Sequence, residues 1–406
     1  MLDPAILESH LSALSFSDPQ GFLVLADWLQ AQQDPWGELI ALQHAVLTKP
    51  VLEPEITALL ERHSAAWAGT AHCAWHLGFV RTVTLHPFEP TLAGLIAALN
   101  DFFARPVARL CDGVVFAPLP AELRTTRDWG ESRSQIIRPY DHCEDLLKLV
   151  PERVTRIGFG AWPVSPISAY VAMPSFRELS GWFQRITELS LVGSDSDVKD
   201  RFLLPKCTTL ALHCADLSWA TIESILASEL PVLDHLTVSF GGSANCILDS
   251  VYPPDDYDED NPDADRYPAT YTAGDLASLE IHGVDSDPNR ELGMLGAATN
   301  LPALRHLSLA GSVLDEGSLE QLAQAPLIRQ LVSLDLSDGG LSDAAVDVLI
   351  RQRDRFKHLK TLDLRGNRLS TDIAIRVKAA LPKAKVHDQA RDRAPAFFMR
   401  YVATME

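Results

Sequence analysis

The sequence predicts an α/β solenoid in which short parallel strands alternate with helices. The phrase LxxLxL occurs three times in the C-terminal third of the chain, starting at Leu304, Leu331 and Leu359, so the copies lie 27 and 28 residues apart. Between the copies are amphipathic stretches such as residues 343–351, whose apolar residues recur at helical spacing. A repeat of one strand and one helix cannot bury its own apolar face. Neighbouring repeats must therefore stack and share one continuous core.

The third copy continues to Asn367 and Leu369 and so completes the pattern LxxLxLxxNxL. This pattern resembles the leucine-rich repeat, and the period of about 28 residues with one helix per repeat is similar to its ribonuclease-inhibitor-like subclass. The resemblance implies a curved parallel sheet on the concave side of the solenoid and helices on its convex side. It implies little about function, because this fold binds partners of many kinds.

Strands of the same kind can be aligned from residue 80 onward, which gives ten strands in all. Besides the three leucine copies, the alignment predicts strands at 80–85, 107–110, 154–159, 186–191, 207–212, 233–238 and 276–281. Two gaps in the series are longer than one repeat. They indicate insertions near residues 118–139 and 253–268.

The first 50 residues differ from the rest, because their apolar residues form three short helical stripes. The phrases ADWL, at residues 26–29, and DPWGELIALQ, at residues 34–43, resemble the small helical repeat-companion domain of some bacterial proteins, notably from myxobacteria and planctomycetes. That domain precedes repeat arrays. The resemblance covers roughly the first 85 residues. It implies a cytoplasmic bacterial protein of a family without established chemistry.

These patterns divide the chain into four parts. We predict a helical companion domain at 1–50, a helical linker at 51–79, the solenoid at 80–390 and a C-terminal segment at 391–406. Two alternatives remain open for the last segment, which carries several apolar side chains. It folds back as a cap on the final repeat, or it is a tail that docks elsewhere.

Composition and charge argue against several classes of protein. The net charge of −19 disfavours a general nucleic-acid binder, because an anionic surface repels phosphate. No stretch approaches the 18 apolar residues that a membrane span requires. Six cysteines without a CxxC pair do not suggest a disulfide framework, so a reducing cytoplasm is expected.

Side chains alternate along a strand, so the residues between the apolar ones should face the concave side of the solenoid. Charge at these positions is concentrated in the late repeats. The expected partner-binding residues are His235, Glu280, His282, His306, Asp335, Asp363 and Arg365. A wide, partly charged sheet suits a protein partner better than a small substrate, which needs an enclosed pocket. We expect a basic patch on the partner to meet Asp335 and Asp363.

Four of these residues also form a possible zinc set, since His235, Glu280, His282 and His306 could converge on neighbouring strands. Solenoid faces routinely carry polar residues, however, and the sequence identifies no groups that would orient these side chains around a metal. We therefore expect no metal and no cofactor. The acidic run 255–265 does not follow the EF-hand order, so it is interpreted as a solvated loop or as a contact for a basic partner.

The sequence therefore predicts a non-catalytic scaffold that binds a protein on its concave face. No nucleophile motif, Walker loop or dinucleotide-binding loop occurs, so an enzyme is not expected. Two alternatives stay open. One is an immunity or inhibitor protein that caps a toxin or enzyme, and the other is an enzyme of unrecognised type.

Overall fold

The computed structural model describes residues 3–69, 72–85, 92–116, 143–160, 183–193, 201, 203–214, 219–238, 288–312 and 314–389. The chain divides into two units. The N-terminal unit comprises Met1–Arg127 and His142–Gly158. The C-terminal unit comprises Asp128–Asp141 and Phe159–Glu406. The acidic run 255–265 and the segment 391–406 lie outside the described residues, so their predicted roles stay predictions.

The N-terminal unit begins with helices and continues with strands. Its helices are α1 Pro4–Ser12, α2 Gln20–Ala31, α3 Pro35–Val46, α4 Glu53–Ala68, α5 Leu92–Ala104 and α6 Cys143–Leu149. Short 3₁₀ helices occupy Pro50–Leu52 and Pro106–Ala108. Its strands are β1 His72–His76, β2 Phe79–Leu85, β3 Gly113–Phe116 and β4 Arg156–Phe159, the last of which ends at the unit boundary.

Helix α3 holds the turn between β1 and β2. Leu77 and Gly78 form this two-residue turn, and both have positive φ, 50° and 79°. The indole Nε1 of Trp36 donates to the Gly78 carbonyl at 2.6 Å, and the Gly78 amide donates to Gln43 Oε1 at 2.7 Å. Both side chains are buried, and a Cβ at Gly78 would collide with Ile40. Both polar groups of Gly78 are thus satisfied by one helix.

The DPWGELIALQ phrase also fixes how α3 packs on α2. The carboxylate of Asp34 accepts a hydrogen bond from the Trp36 amide at 2.9 Å and so caps the helix, with Pro35 in its first turn. A Cβ at Gly37 would lie 2.7 Å from the Ala26 carbonyl oxygen. Glycine therefore lets the two helices approach closely.

The strands of the N-terminal unit differ from the prediction in two places. Residues 51–79, expected to be a helical linker, are helical only as far as Ala68, and β1 then pairs antiparallel with β2. The strand predicted at 107–110 is wrong, because Pro106 begins a 3₁₀ helix there. The strand lies further along the chain, at β3. The apolar positions of this repeat are Cys111, just before the strand, and Val114 and Phe116 within it, and all three side chains are fully buried. In this register Val83 pairs with Val114.

Asp112 joins three strands of the N-terminal unit. Its carboxylate accepts hydrogen bonds from Arg81 on β2, at 2.7 Å, and from Arg156 Nε on β4, at 3.0 Å. Its backbone carbonyl accepts from the amides of Thr155 and Arg156, each at 3.0 Å. The side chains are 26–30% exposed, so water screens the ion pairs and their main effect is to fix geometry.

The C-terminal unit alternates strands and helices. Its strands are β5 Glu188–Gly193, β6 Thr209–Cys214, β7 His235–Val238, β8 His306–Ser308, β9 Ser333–Asp335, β10 Thr361–Asp363 and β11 Ala384–Lys385. Its helices are α7 Trp219–Leu226, α8 Pro288–Gly296, α9 Glu316–Gln324, α10 Asp343–Arg351, α11 Arg353–Phe356 and α12 Thr371–Ala380, with a 3₁₀ helix at Pro326–Gln330. The helix predicted at 343–351 is confirmed.

A ladder of buried apolar residues sets the register of these parallel strands. From β5 to β11 the paired positions are Leu189, Leu210, Leu236, Leu307, Leu334, Leu362 and Ala384. All are at most 2% exposed. Helices α9, α10 and α12 pack side by side and add their own buried apolar residues to the core. Mostly parallel strands alternating with helices in one register fit a leucine-rich-repeat-like α/β fold.

The strand predicted at 276–281 lies outside the described residues. In the sheet β7 pairs directly with β8, His235 opposite His306. Among the described residues, no helix combines the length and apolar character needed to cross a membrane.

Asn367 is fully buried and bonds to two successive turns. Its Oδ1 accepts from the amides of Gly339, at 3.1 Å, and Leu341, at 2.9 Å. Its Nδ2 donates to the carbonyls of Leu336, at 2.8 Å, and Leu364, at 3.0 Å. One amide side chain thus satisfies backbone groups of both its own repeat and the preceding one.

Replacing a leucine of the ladder should destabilise the protein strongly. Leu334→Ala or Leu362→Ala should lower the free energy of unfolding by about 2–5 kcal/mol, because each leaves a cavity in a closed core. Urea unfolding of each variant measures this. A loss below about 0.5 kcal/mol at both positions would show that these side chains are not in the core.

Asn367→Ala should also destabilise the protein, for a different reason. It leaves buried backbone amides and carbonyls of two turns unsatisfied, and each such group costs about 1–3 kcal/mol. We expect the free energy of unfolding to fall by about 3 kcal/mol or more. The matched control is Arg368→Ala at the exposed neighbouring position, which should stay within about 0.5 kcal/mol of the parent. Equal losses in both variants would contradict this role.

Candidate functional site

The sheet of the C-terminal unit presents two rows of side chains on the face opposite its leucine ladder. The first row consists of Glu188, Thr209, His235, His306, Ser333 and Thr361. The second row consists of Ser190, Ala211, Thr237, Ser308, Asp335 and Asp363. Every member except Asp363 is half-buried or exposed. The residues are small, polar or charged, so the backbone of this face is open to close approach.

Asp335 and Asp363, which the sequence placed on this face, are neighbours in the second row. In the N-terminal unit the strand predicted at 107–110 gave the wrong register. There the partner of Thr84 is Val115. Cys111 lies instead in the buried apolar position that precedes the strand.

The predicted partner-binding residues fall into three groups. His235 and His306 are neighbours in the first row, and Asp335 and Asp363 are neighbours in the second. Arg365 follows β10 and contacts Asp363. The other two, Glu280 and His282, lie outside the described residues.

The two histidines form a stacked pair. Their ring centroids are 4.1 Å apart and the rings are inclined by 9°. The Nδ1 of His235 lies 3.1 Å from the carboxylate of Asp234, and the Nδ1 of His306 lies 2.7 Å from the hydroxyl of Ser333. Convergence of these two histidines was expected from the sequence, and the structure places them directly opposite each other on the adjacent strands β7 and β8.

The surroundings of His306 disfavour its protonation. Burial lowers the pKa of its imidazole from the ordinary value of 6.5, and the neighbouring His235 lowers it further, while Asp234 acts in the opposite direction. A neutral ring at His306 is therefore the stable form at neutral pH.

Asp363 is bound within the protein. Its carboxylate accepts bidentate hydrogen bonds from Arg365, from Nη2 at 2.7 Å and from Nε at 2.9 Å. It also lies 3.6 Å from Nζ of Lys385. Burial opposes ionisation, but the hydrogen bonds from Arg365 and the two positive charges outweigh it, so the pKa of Asp363 is lowered. The side chain of Asp363 is only 8% exposed, whereas that of Arg365 is 44% exposed. At this end of the face Arg365 is the more accessible member of the ion pair.

Asp335 has a different environment. Its Oδ1 accepts from the Ser337 amide at 2.9 Å, and the Ser308 hydroxyl donates to its Oδ2 at 3.5 Å. The residue is half-buried and no ion pair to it is formed within the described residues. Its carboxylate therefore keeps capacity to accept a hydrogen bond from another molecule.

The thiols of Cys73, Cys111 and Cys207 are held in the protonated form. Burial raises the pKa of Cys73 and Cys207 to about 12 and that of Cys111 to about 11. The Sγ–H groups of Cys111 and Cys207 donate to backbone carbonyls two residues on, at 3.3 and 3.1 Å. These thiols behave as small apolar side chains, since the thiolate is the reactive form.

No family model and no curated protein matches the chain. Among solved structures, a protein from Bacteroides fragilis matches with a TM-score of 0.48 at 18% sequence identity, over 70% of this chain and 66% of that chain. An internalin from Listeria monocytogenes matches with a TM-score of 0.21 at 11% identity, over 77% of this chain and 87% of that chain. This chain thus spans just under two thirds of the Bacteroides protein. Neither similarity assigns a function.

The lowered pKa of His306 predicts that the protein loses stability on mild acidification. The unfolded chain binds a proton at His306 more readily than the folded protein does, so the free energy of unfolding should fall as the pH drops through 6.5. In His306→Gln this contribution is absent, and the slope between pH 7.5 and 5.5 should be shallower. Urea unfolding at several pH values measures the slope. Identical slopes for variant and parent would contradict the assignment.

Proposed function

We propose that the protein is a non-catalytic scaffold that binds a protein partner on the two-row face of its C-terminal unit. The observation that carries the proposal is the in-register arrangement of small, polar and charged side chains across six parallel strands. No pocket is needed for such recognition, because a broad face can be covered by another protein surface. The leucine ladder beneath keeps the face rigid, so little ordering is required on binding.

Charge on this face supports contact with a polar partner surface near β9 and β10. Asp335 retains hydrogen-bonding capacity, and Arg365 is half exposed although Asp363 holds it. We infer that a basic group of the partner meets Asp335 and an acidic or carbonyl group meets Arg365. Such charges set the orientation and rate of association, while the small residues around them permit close contact.

The finer expectations from the sequence belong to the same proposal. They are a curved solenoid of the ribonuclease-inhibitor-like subclass, a repeat-companion domain at the N-terminus, and a bacterial source of the myxobacterial or planctomycete type. A cytoplasmic location is also part of the proposal. The free thiols of Cys73, Cys111 and Cys207 support it, because a reducing compartment keeps cysteines in this form.

Affinity purification from the native host, followed by mass spectrometry, would identify the partner. Variants then locate its contact surface. Ser308→Lys with Asp335→Lys should weaken binding tenfold or more, about 1.4 kcal/mol, by placing two new cations in the centre of the face. Titration calorimetry with the purified partner measures the affinity, and circular dichroism verifies that the variant is folded.

Two matched pairs serve as controls for this experiment. Gln324→Lys with Ala344→Lys places the same charges on exposed positions of α9 and α10 and should leave binding unchanged. Thr84→Lys with Ser190→Lys tests the early strands β2 and β5. It should weaken binding less than Ser308→Lys with Asp335→Lys does. If Gln324→Lys with Ala344→Lys abolished binding while Ser308→Lys with Asp335→Lys left the affinity unchanged, the proposed face would be rejected. A single stoichiometric toxin or enzyme as partner would favour the inhibitor over the general scaffold.

A further inference from the structure

Three side chains that can bind metal ions meet where β7 and β8 pair. Asp234, His235 and His306 each place one ligand atom within 4.8 Å of the other two. The arrangement follows from the fold, because His235 and His306 occupy the same register position on adjacent strands. Imidazole nitrogens and carboxylate oxygens are common donors to zinc. We propose that these three residues bind a divalent transition-metal ion such as Zn²⁺.

This proposal revises the expectation of no metal, and it does not rest on the proposed scaffold function. From the sequence, a strand was predicted between His235 and His306, and no group was identified that would orient the two rings. The structure places the two rings 4.1 Å apart. It also places the Ser333 hydroxyl 2.7 Å from Nδ1 of His306. A histidine held through one ring nitrogen presents the other to a metal in a fixed direction, and metal-binding histidines usually have such a hydrogen-bond partner.

The electrostatics of the cluster suit a divalent cation. Metal binding requires neutral imidazoles, so the site would offer an ion two neutral rings and one carboxylate. The nearby Arg305 is directed elsewhere, because its Nη1 donates to the carbonyls of Pro302 and Leu304. The first-row neighbours Thr209 and Ser333 are uncharged.

The cluster is open to solvent, and its ligand atoms are close to one another. The side chains of His235 and Asp234 are 51% and 39% exposed, so the cluster is accessible from solvent. Ligand atoms around a tetrahedral zinc ion lie about 3.4 Å from one another at bond lengths near 2.1 Å. Three protein ligands leave a coordination position open to water or to a ligand atom of another molecule.

The test uses the full-length protein, stripped of metal with a chelator and titrated with ZnCl₂ at pH 7.5 in a calorimeter. We expect this site to bind one Zn²⁺ per chain. His235→Gln and His306→Gln should each weaken that binding at least tenfold, and Asp234→Asn should weaken it as well. The matched control is His63→Gln, which removes a histidine that stacks on Trp67 in α4, and it should bind like the parent.

A second measurement separates loss of a ligand from loss of the fold. ZnCl₂ should raise the melting temperature of the parent and of His63→Gln, but not that of the double variant His235→Gln with His306→Gln. Circular dichroism reports whether the double variant is folded. Binding of the parent should weaken at pH 5.5, where protons compete for the imidazoles. Absence of Zn²⁺ binding by the parent, or equal affinity in the folded double variant, would overturn the proposal.

Discussion

The register of the parallel strands in the C-terminal unit is the constraint on which the rest of that unit depends. Strands β8, β9 and β10 are only three residues long, so few hydrogen bonds define their position. The buried leucine at the centre of each strand supplies the missing definition. A slip of one residue would turn Leu334 towards solvent and Asp335 into the core. The same leucine that closes the core therefore decides which side chains form the exposed face.

The fold of the late repeats could be predicted because their apolar phrase is regular, and the second row follows from it at once. The prediction failed at β3. Cys111 is a small buried apolar residue in the place of a leucine, and the alignment took Val107 as the first apolar residue of the strand instead. The sequence suggested that His235 and His306 could converge, but not that they would stack directly, because pairing between strands depends on the path of the chain between them. The sequence shows only the length of that chain.

The conspicuous N-terminal motif is explained by packing. Asp34 caps α3, Gly37 permits close approach to α2, and Trp36 and Gln43 bind both polar groups of Gly78. The hydrogen bonds to Gly78 link residues 42 and 35 positions apart in the chain. The most distinctive phrase of the sequence thus attaches a helix to a hairpin turn, and its residues are engaged by backbone groups of the protein itself.

The bonds made by Asn367 bear on how far the repeats could be exchanged or duplicated. The equivalent position is Ser312 in the first leucine copy and Gly339 in the second. Asparagine cannot replace Gly339 without a shift, because any Cβ there would collide with the carbonyl oxygen of Ser312. Each joint between repeats is therefore matched to the pair of turns it connects. An array lengthened by copying the last repeat would set its new asparagine against the turn that carries Asn367, where the present pair has Gly339, so the new joint would not reproduce the existing one despite the regular period.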